Sequence, residues 1–289
     1  MDTNECSLCR PGGFALTRQM FQFAGIEIPE AGAAETESTD PAVPLRVIDI
    51  GCGTGGTMRW LSEHCLGWQI SGLDKNPDVH EPGWIETGCA EKLPYPDQTA
   101  DIILMECSCS KAAEPVAALR EVYRVLKPEG WLLMSDMYAR KKELFLDGML
   151  GRLESAKTIR DRLAEAGFVL AKMQDASGTL AEWIGQQIFD GNLESVCAAL
   201  GAERKILKEA GCGYFIAAAQ PSGLWRTLSY VKEKSPFYQK KFASVESFSW
   251  ENFRTLPLTT PEELKAEPET FLCVPAKEIA RIISLKTSG

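Results

Sequence analysis

The stretch Val47-Ile48-Asp49-Ile50-Gly51-Cys52-Gly53-Thr54-Gly55-Gly56 restricts the fold more than any other part of the chain. Four residues of buried-strand character run straight into a glycine-rich turn. Met58, Trp60, Leu61 and Cys65 then recur at helical spacing. This is the strand, loop and helix of a nucleotide-binding βαβ unit. Glycine permits positive φ, and the missing Cβ lets a ligand lie against the backbone. Gly51, Gly53 and Gly56 satisfy the bare dinucleotide pattern, so glycine spacing alone does not choose the ligand. Asp49, two residues before the first glycine, tips the choice, because a carboxylate there pairs with an ammonium group and repels a pyrophosphate.

The next segments continue the alternation of strand and helix. Trp68 to Asp74 reads as a second strand ending in an acid. A carboxylate at that strand end accepts hydrogen bonds from both hydroxyls of a ribose; the plainer reading is a turn Asp opening Lys75-Asn76-Pro77. Lys75 either packs on a base or is solvated. Trp84 to Thr87 is a short third strand. Asp101 to Glu106 is a near-continuous apolar run, as expected of a central parallel strand. Glu114 to Leu126 is an amphipathic helix, stopped by Lys127-Pro128-Glu129-Gly130. Trp131 to Asp136 is strand five. Ser155 to Ala166 is a helix, Phe168 to Met173 a strand, and Gly213 to Ala219 the last strand. Residues 179–210 form an inserted helical segment, read either as a carrier of substrate specificity or as extra core.

The glycine turn resembles motif I of the class I S-adenosylmethionine (SAM) dependent methyltransferases, an acid followed by G-x-G-x-G, here Asp49, Gly51, Gly53 and Gly55. Gly88-Cys89-Ala90-Glu91-Lys92-Leu93-Pro94-Tyr95 resembles the family's G-D-A-x-x-L-P-F stretch. Glu121 to Trp131 resembles the L-K-P-G-G region of its type 11 members. The likeness covers roughly residues 45–220. It implies an α/β fold: a Rossmann-like, seven-stranded, mostly parallel sheet with helices on both faces and the last strand antiparallel. It also implies SAM as cofactor and S-adenosylhomocysteine (SAH) as its product.

The residues carried over by that likeness are few. Asp49, Gly51, Cys52, Gly53 and Gly55 hold the methionine end. Asp74 holds the ribose, with Lys75 beside it. Cys89, Ala90 and Glu91 lie at the adenine, and Glu106 and Cys107 face the methyl group. Cys89 stands where the family has Asp. A thiol is a poor acceptor, so Glu91 or a backbone carbonyl takes over the adenine amino contact. Asp136, Met137 and Tyr138 enter from strand five and shape an acceptor pocket, unless Tyr138 is only a packed aromatic. Methyl transfer is an in-line displacement that needs alignment more than acid–base help. No catalytic residue is assigned.

At the N-terminus, Cys6-Ser7-Leu8-Cys9 and Arg10-Pro11-Gly12-Gly13 precede a helix through Leu16, Met20, Phe21 and Phe23, ended by Gly25. By analogy with small methyltransferases, residues 1–30 form a lid over the cofactor. Residues 29–44 read as a surface linker. One C-x-x-C with only His64 and His80 in the chain does not make a four-ligand zinc site, so no metal is expected. Cys107 and Cys109 either fill a tight loop or, with Cys6 or Cys9, hold a soft substrate as in arsenite methyltransferases.

The tail is different in kind. Ser235-Pro236-Phe237-Tyr238 and Leu256-Pro257-Leu258-Thr259-Thr260-Pro261-Glu262-Glu263-Leu264 resemble the N-terminal segment of phenylacetate-CoA ligases. Thr287-Ser288-Gly289 resembles the start of their phosphate-binding loop. The domains expected are 1–220, the methyltransferase, and 221–289, an appendage without ATP chemistry of its own. The appendage is a fusion remnant, a truncated reading frame or a docking segment for a CoA ligase.

Charge limits the partners. Before residue 221 there are 21 basic and 32 acidic residues, and after it 10 basic and 8 acidic. An acidic body argues against nucleic acid. No run approaches the ~20 apolar residues of a membrane span. No export signal opens the chain, and the ten cysteines are not spaced as a disulfide framework, so a cytoplasmic site is expected. The sequence therefore favours a small-molecule methyltransferase, with a SAM- or SAH-binding scaffold module for a CoA ligase as the alternative. An NAD oxidoreductase fits the bare glycine pattern but not Asp49 or the later motifs. The acceptor and the oligomeric state stay open.

Overall fold

The apolar runs become the centre of one sheet. β1 (Arg46–Ile50), β2 (Gln69–Asp74), β3 (Ile85–Thr87), β4 (Ala100–Glu106) and β5 (Leu126–Ala139) are parallel neighbours in the order β3-β2-β1-β4-β5. Beyond β5 the sheet continues with β9 (Cys212–Pro221) and then β8 (Phe168–Asp175), and β9 runs antiparallel to both. Two short strands, β6 (Leu144–Phe145) and β7 (Arg152–Leu153), pair separately. This computed structural model describes residues 10–29, 44–76, 84–146, 151–192, 194, 203–245, 248 and 255–274. Cys6, Cys9, His80, residues 30–43 of the expected linker, residues 195–202 of the expected insertion and Thr287 to Gly289 lie outside the described residues.

Helices cover both faces because the strands are apolar on both. On one side α3 (Pro115–Val125) and α4 (Ala156–Glu165) bury Leu119, Val122, Val125 and Leu163 against Ile48, Ile103, Met105 and Phe215. On the other, α1 (Gly13–Phe23) and α2 (Gly56–His64) bury Leu16, Met20, Phe21, Trp60 and Leu61 against Val47, Ile102, Leu104 and Tyr214. Phe14 stacks on Trp60 with centroids 4.8 Å apart, fixing α1 to α2. Each fully buried Ile or Leu contributes about 1.5–3 kcal/mol. α5 (Ser177–Phe189) and the helix Arg204–Ala210 occupy the expected insertion and pack on β9.

Two sequence expectations shift in detail. α3 ends at Val125, just before Lys127-Pro128-Glu129-Gly130, as expected, but strand five starts before Trp131. β5 begins at Leu126, opposite Ala100, and the register then jumps to Trp131 opposite Ile102, so the Pro and Gly sit in an irregularity of the strand. Lys127 Nζ reaches Asp101 at 2.7 Å and pins that irregularity to β4. β5 also runs on to Ala139, because Met137, Tyr138 and Ala139 find partners on β9.

The chain divides into two compact units, Met1–Pro221 and Ser222–Gly289. Within the second, the helix Gly223–Lys234 is followed by the helix Pro236–Lys241, capped by Ser235 Oγ. Phe271 stacks on Phe237 at 3.9 Å, and Tyr238 on Phe242 at 5.1 Å. The helix Pro261–Ala266 opens on a capping box between Thr260 and Glu263. Among the described residues no helix is long and apolar enough to cross a membrane.

Candidate active site

In an open α/β sheet, ligands bind beyond the carboxyl ends of the strands. Here β2 and β4 end in acids, Asp74 and Glu106, and β1 has Asp49 as its next-to-last residue. The turn after β1 holds Gly51, Gly53 and Gly55 at φ +77°, +55° and +77°. Two of these glycines are required for different reasons. A Cβ on Gly51 would stand 2.4 Å from the Cβ of Ser108, in the loop after β4. A Cβ on Gly53 would meet nothing within 4 Å, so its bare backbone faces open space.

Asp74 faces that turn. Gly53 N–H donates to Asp74 Oδ2 at 2.8 Å, and Asn76 N–H to Oδ1 at 2.9 Å. Beyond lies a cleft of about 330 Å³ whose walls include Gly51, Asp74, Lys75, Cys89, Ala90 and Glu91, with Ser108, Lys111 and Ala112 opposite. That volume falls in the range of small-molecule sites. Cys89 is exposed there. Glu91 Oε1 accepts the backbone N–H groups of Ala113 (2.7 Å) and Glu114 (3.2 Å), so it braces the start of α3. Burial opposes its ionisation, yet these N–H groups hold its carboxyl below the usual value. Arg124 fixes the loop that follows Glu91: it bonds Glu121 and Asp97 and the carbonyls of Leu93 and Tyr95.

Asp49 and Glu106 lie on the α1 side of the sheet. Asp49 pairs with Leu104 in register, so Glu106, two residues on, shares its face. Asp49 is 3% exposed, and the described residues make no hydrogen bond to its carboxylate. Burial first, then Glu106, pushes its carboxyl up to about 8, with Arg10 pulling the other way and Asp74 adding to the rise. Glu106 is fully engaged. Arg10 forms a buried ion pair with its Oε1, Thr17 Oγ1 donates to the same oxygen at 2.9 Å, and Thr57 Oγ1 donates to Oε2 at 3.0 Å. Arg10 Nη2 donates in turn to Thr17 (2.7 Å) and Thr57 (3.2 Å). Expected at the methyl group, the Glu106 carboxylate is instead the anchor of the N-terminal segment.

The loop after β4 is fixed from both sides. Ser108 Oγ donates to Ile50 O at 2.7 Å. Asp136 accepts Ser110 N–H and Ser110 Oγ–H, each at 3.0 Å. Burial raises the Asp136 carboxyl to about 6 against those hydrogen bonds. Asp136 and Met137 border a separate cavity of about 30 Å³, room for one water, and not an acceptor-sized pocket. Tyr138 is a packed aromatic, edge-on to Phe215. Cys107 holds φ +53° and lies 3.1 Å from Tyr214 Oη. Burial, then Asp136, pushes the Cys107 and Cys109 thiols up to about 12; burial, then Asp49, does the same to Cys52. Burial favours the protonated thiols at neutral pH; Cys6 and Cys9, the other thiols of the soft-substrate alternative, lie outside the described residues. No group of three metal-ligating side chains is assembled among the described residues.

A seven-stranded sheet with this strand order, its last strands antiparallel, is the Rossmann-like fold of the class I SAM-dependent methyltransferases. Residues 48–134 match the family described as "Methyltransferase domain". The chain is similar to glycine/sarcosine/dimethylglycine N-methyltransferase of Actinopolyspora halophila, 26% identical over 64% of this chain and 36% of that protein. It is also similar to malonyl-[acyl-carrier protein] O-methyltransferase of Halorhodospira halophila, 27% identical over 47% of this chain and 52% of that one. The chain thus spans about half or less of the length of these two relatives. The crystal structure of MccD protein shares the fold, with a TM-score of 0.51 and 15% identity over 73% of this chain and 99% of that one.

Sequence reasoning missed Arg10, Thr17 and Thr57, which join three separate elements at one carboxylate. It also missed Ser108, whose role depends on the missing Cβ of Gly51. The Arg-Pro-Gly-Gly run with a Thr seven residues after the Arg was the one visible signal.

Proposed function

We propose that this chain is a methyltransferase that uses SAM to methylate a small-molecule acceptor. The observation that carries the reading is Asp49: a carboxyl 3% exposed, with no donor from the described residues, at the base of a glycine turn. Such a group is costly to bury without a partner. A ligand ammonium supplies one.

The residues fit the rest of the cofactor. The Gly53 turn offers bare backbone to the methionine end, and Asp74 stands at the edge of the cleft where a ribose would be held. Lys75, Cys89, Ala90 and Glu91 border the far part of that cleft, suited to a base, and the Glu91 carboxylate is an acceptor there for an amino group. SAM supplies an electrophilic methyl group on a sulfonium when bound. The chain's part is to align it and keep water out. Residues 10–23 lie over the Asp49 face, which supports a lid. No side chain at this edge is placed as an obligatory base, in keeping with a displacement whose leaving group is a neutral thioether.

The small-molecule class rests on the acidic body; of the two relatives above, one is named for methylating glycine, sarcosine and dimethylglycine and the other for a malonyl group on acyl-carrier protein. A scaffold role beside a CoA ligase is the competing account of residues 222–289, and no observation in that unit favours it over an independent appendage. Calorimetry with SAM, SAH and NAD tests the reading. Binding of SAM and SAH without NAD is expected. NAD binding with no response to SAM would overturn it. Saturable SAM binding without turnover over a broad acceptor panel would favour the scaffold.

A further inference from the structure

Arg10 is a buried cation in a place the glycine turn does not explain. It lies in the N-terminal segment just before α1, its partner Glu106 is 96 residues away, and both side chains are less than a tenth exposed. A buried guanidinium is tolerated only when its donors are matched. Here they are matched by three elements at once: Glu106 at the end of β4, Thr17 on α1 and Thr57 in the first turn of α2. Glu106 in turn takes donors from Arg10, Thr17 and Thr57. The network is therefore one closed knot, and it stands beside Asp49, since Asp49 and Glu106 share a sheet face on adjacent strands.

The segment tied down by this knot lies on that side of the sheet. Leu16, Met20 and Phe21 belong to one buried cluster with Val47 and Leu104, the residues that flank Asp49 along β1 and across on β4. Untying Arg10 lets water reach Asp49. A carboxylate–ammonium contact is much stronger in a dry site than in a wet one. We propose that Arg10 is a positioning residue that latches the segment Arg10–Phe23 onto Glu106, and that this latch sets the affinity of the methionine end for its ligand by keeping Asp49 dry. The inference rests on the cofactor reading above and adds to it the residue that controls the strength of binding.

The groups that face Asp49 are Glu106 from β4, Arg10 from the N-terminal segment and Asp74 from β2, and desolvation outweighs all three. An untied segment therefore also flattens the pH dependence of binding, because a wet Asp49 is ionised throughout the neutral range.

The test is calorimetry of the full chain with SAM and with SAH between pH 6 and pH 9, on wild type, Arg10→Gln, Arg10→Lys, Glu106→Gln and Thr17→Val. Wild type is expected to bind more tightly as pH rises. Arg10→Gln is expected to weaken both ligands by about tenfold or more and to lose most of that pH slope. Arg10→Lys should recover part of both, because a point charge restores the pair but not the fork. Glu106→Gln should match Arg10→Gln, and the double variant should be no weaker than either single one. A folded Arg10→Gln with wild-type affinity and wild-type pH profile would overturn the latch. If Arg10→Gln does not fold, Arg10→Lys and Thr17→Val decide: both binding as wild type would overturn it equally. Failure of wild type itself to bind SAM or SAH would instead strike the cofactor reading, and the latch with it.

Discussion

Gly53 and Asp74 meet across the ends of β1 and β2, the glycine N–H donating to the carboxylate at 2.8 Å. This bond, with Asn76 N–H on the other oxygen, ties both carboxylate oxygens to the backbone and leaves each a second lone pair for a ligand. Asp74 is thus both brace and proposed ribose contact, and the two roles separate by substitution. Asp74→Asn keeps an acceptor for Gly53 but weakens a charge-assisted bond to a ribose hydroxyl. Asp74→Ala loses both. Calorimetry with SAH should show a loss of about tenfold for Asn and clearly more for Ala, at about 1.5–3 kcal/mol per hydrogen bond to a charged group.

Gly51 and Gly53 make a contrasting pair. Alanine at 51 meets Ser108 Cβ at 2.4 Å in addition to its φ of +77°. Alanine at 53 meets nothing and bears only the left-handed backbone. Thermal unfolding should show Gly51→Ala destabilised by about 3 kcal/mol and Gly53→Ala by about 1 kcal/mol. Binding should show the opposite emphasis for Gly53→Ala, since its new methyl group stands where a ligand would lie.

Asp49 gives a prediction in pH. Its folded carboxyl sits at about 8, above its ordinary value of 3.8, so the folded chain holds a proton there that the unfolded chain releases. The stability tied to that proton is fully present below pH 3.8 and is lost as pH rises through 8. Asp49→Asn removes the penalty. Its melting temperature should exceed that of wild type at pH 8.5, by about 1 kcal/mol or more in stability, and converge with it toward pH 5. SAM binding by the same variant should be weak at every pH.

The thiols should divide by reagent access. Cys107 and Cys109, with pKa values pushed up to about 12, should resist iodoacetamide at pH 8 in the folded chain. Cys89 is exposed on the cleft wall and should label readily. Mass spectrometry after a timed pulse reads both. SAH added beforehand should slow labelling at Cys89 and leave the other two as they were.

The central strands were legible because their chemistry is local. Ile102-Ile103-Leu104-Met105 cannot sit on a half-exposed surface, and an acid followed by three alternate glycines leaves few backbone paths. Lys127-Pro128-Glu129-Gly130 marked the helix end correctly but hid the start of β5 at Leu126. Pro and Gly break regular pairing, and nothing local shows that Asp101, on the neighbouring strand, draws Lys127 back onto the sheet. The Glu106 anchor was not legible at all. Its position at a strand end is visible, but whether its carboxylate faces a ligand or an arginine depends on a segment 96 residues earlier. No spacing rule joins the two. Asp136 is a milder case: its strand end was found, while its hold on Ser110 depends on how the loop after β4 turns.

The place of β9 governs how the sheet can be assembled. It lies between β5 and β8, both of which precede it in the chain, and bonds to each along most of its length. Until residue 221 has been synthesised, those two strands have no common neighbour, and each shows a bare edge to other chains. A nascent polypeptide stalled at residue 210 would therefore hold the glycine turn and the acids of the cleft, yet the edge of β5 and the whole of β8 would be open to self-association.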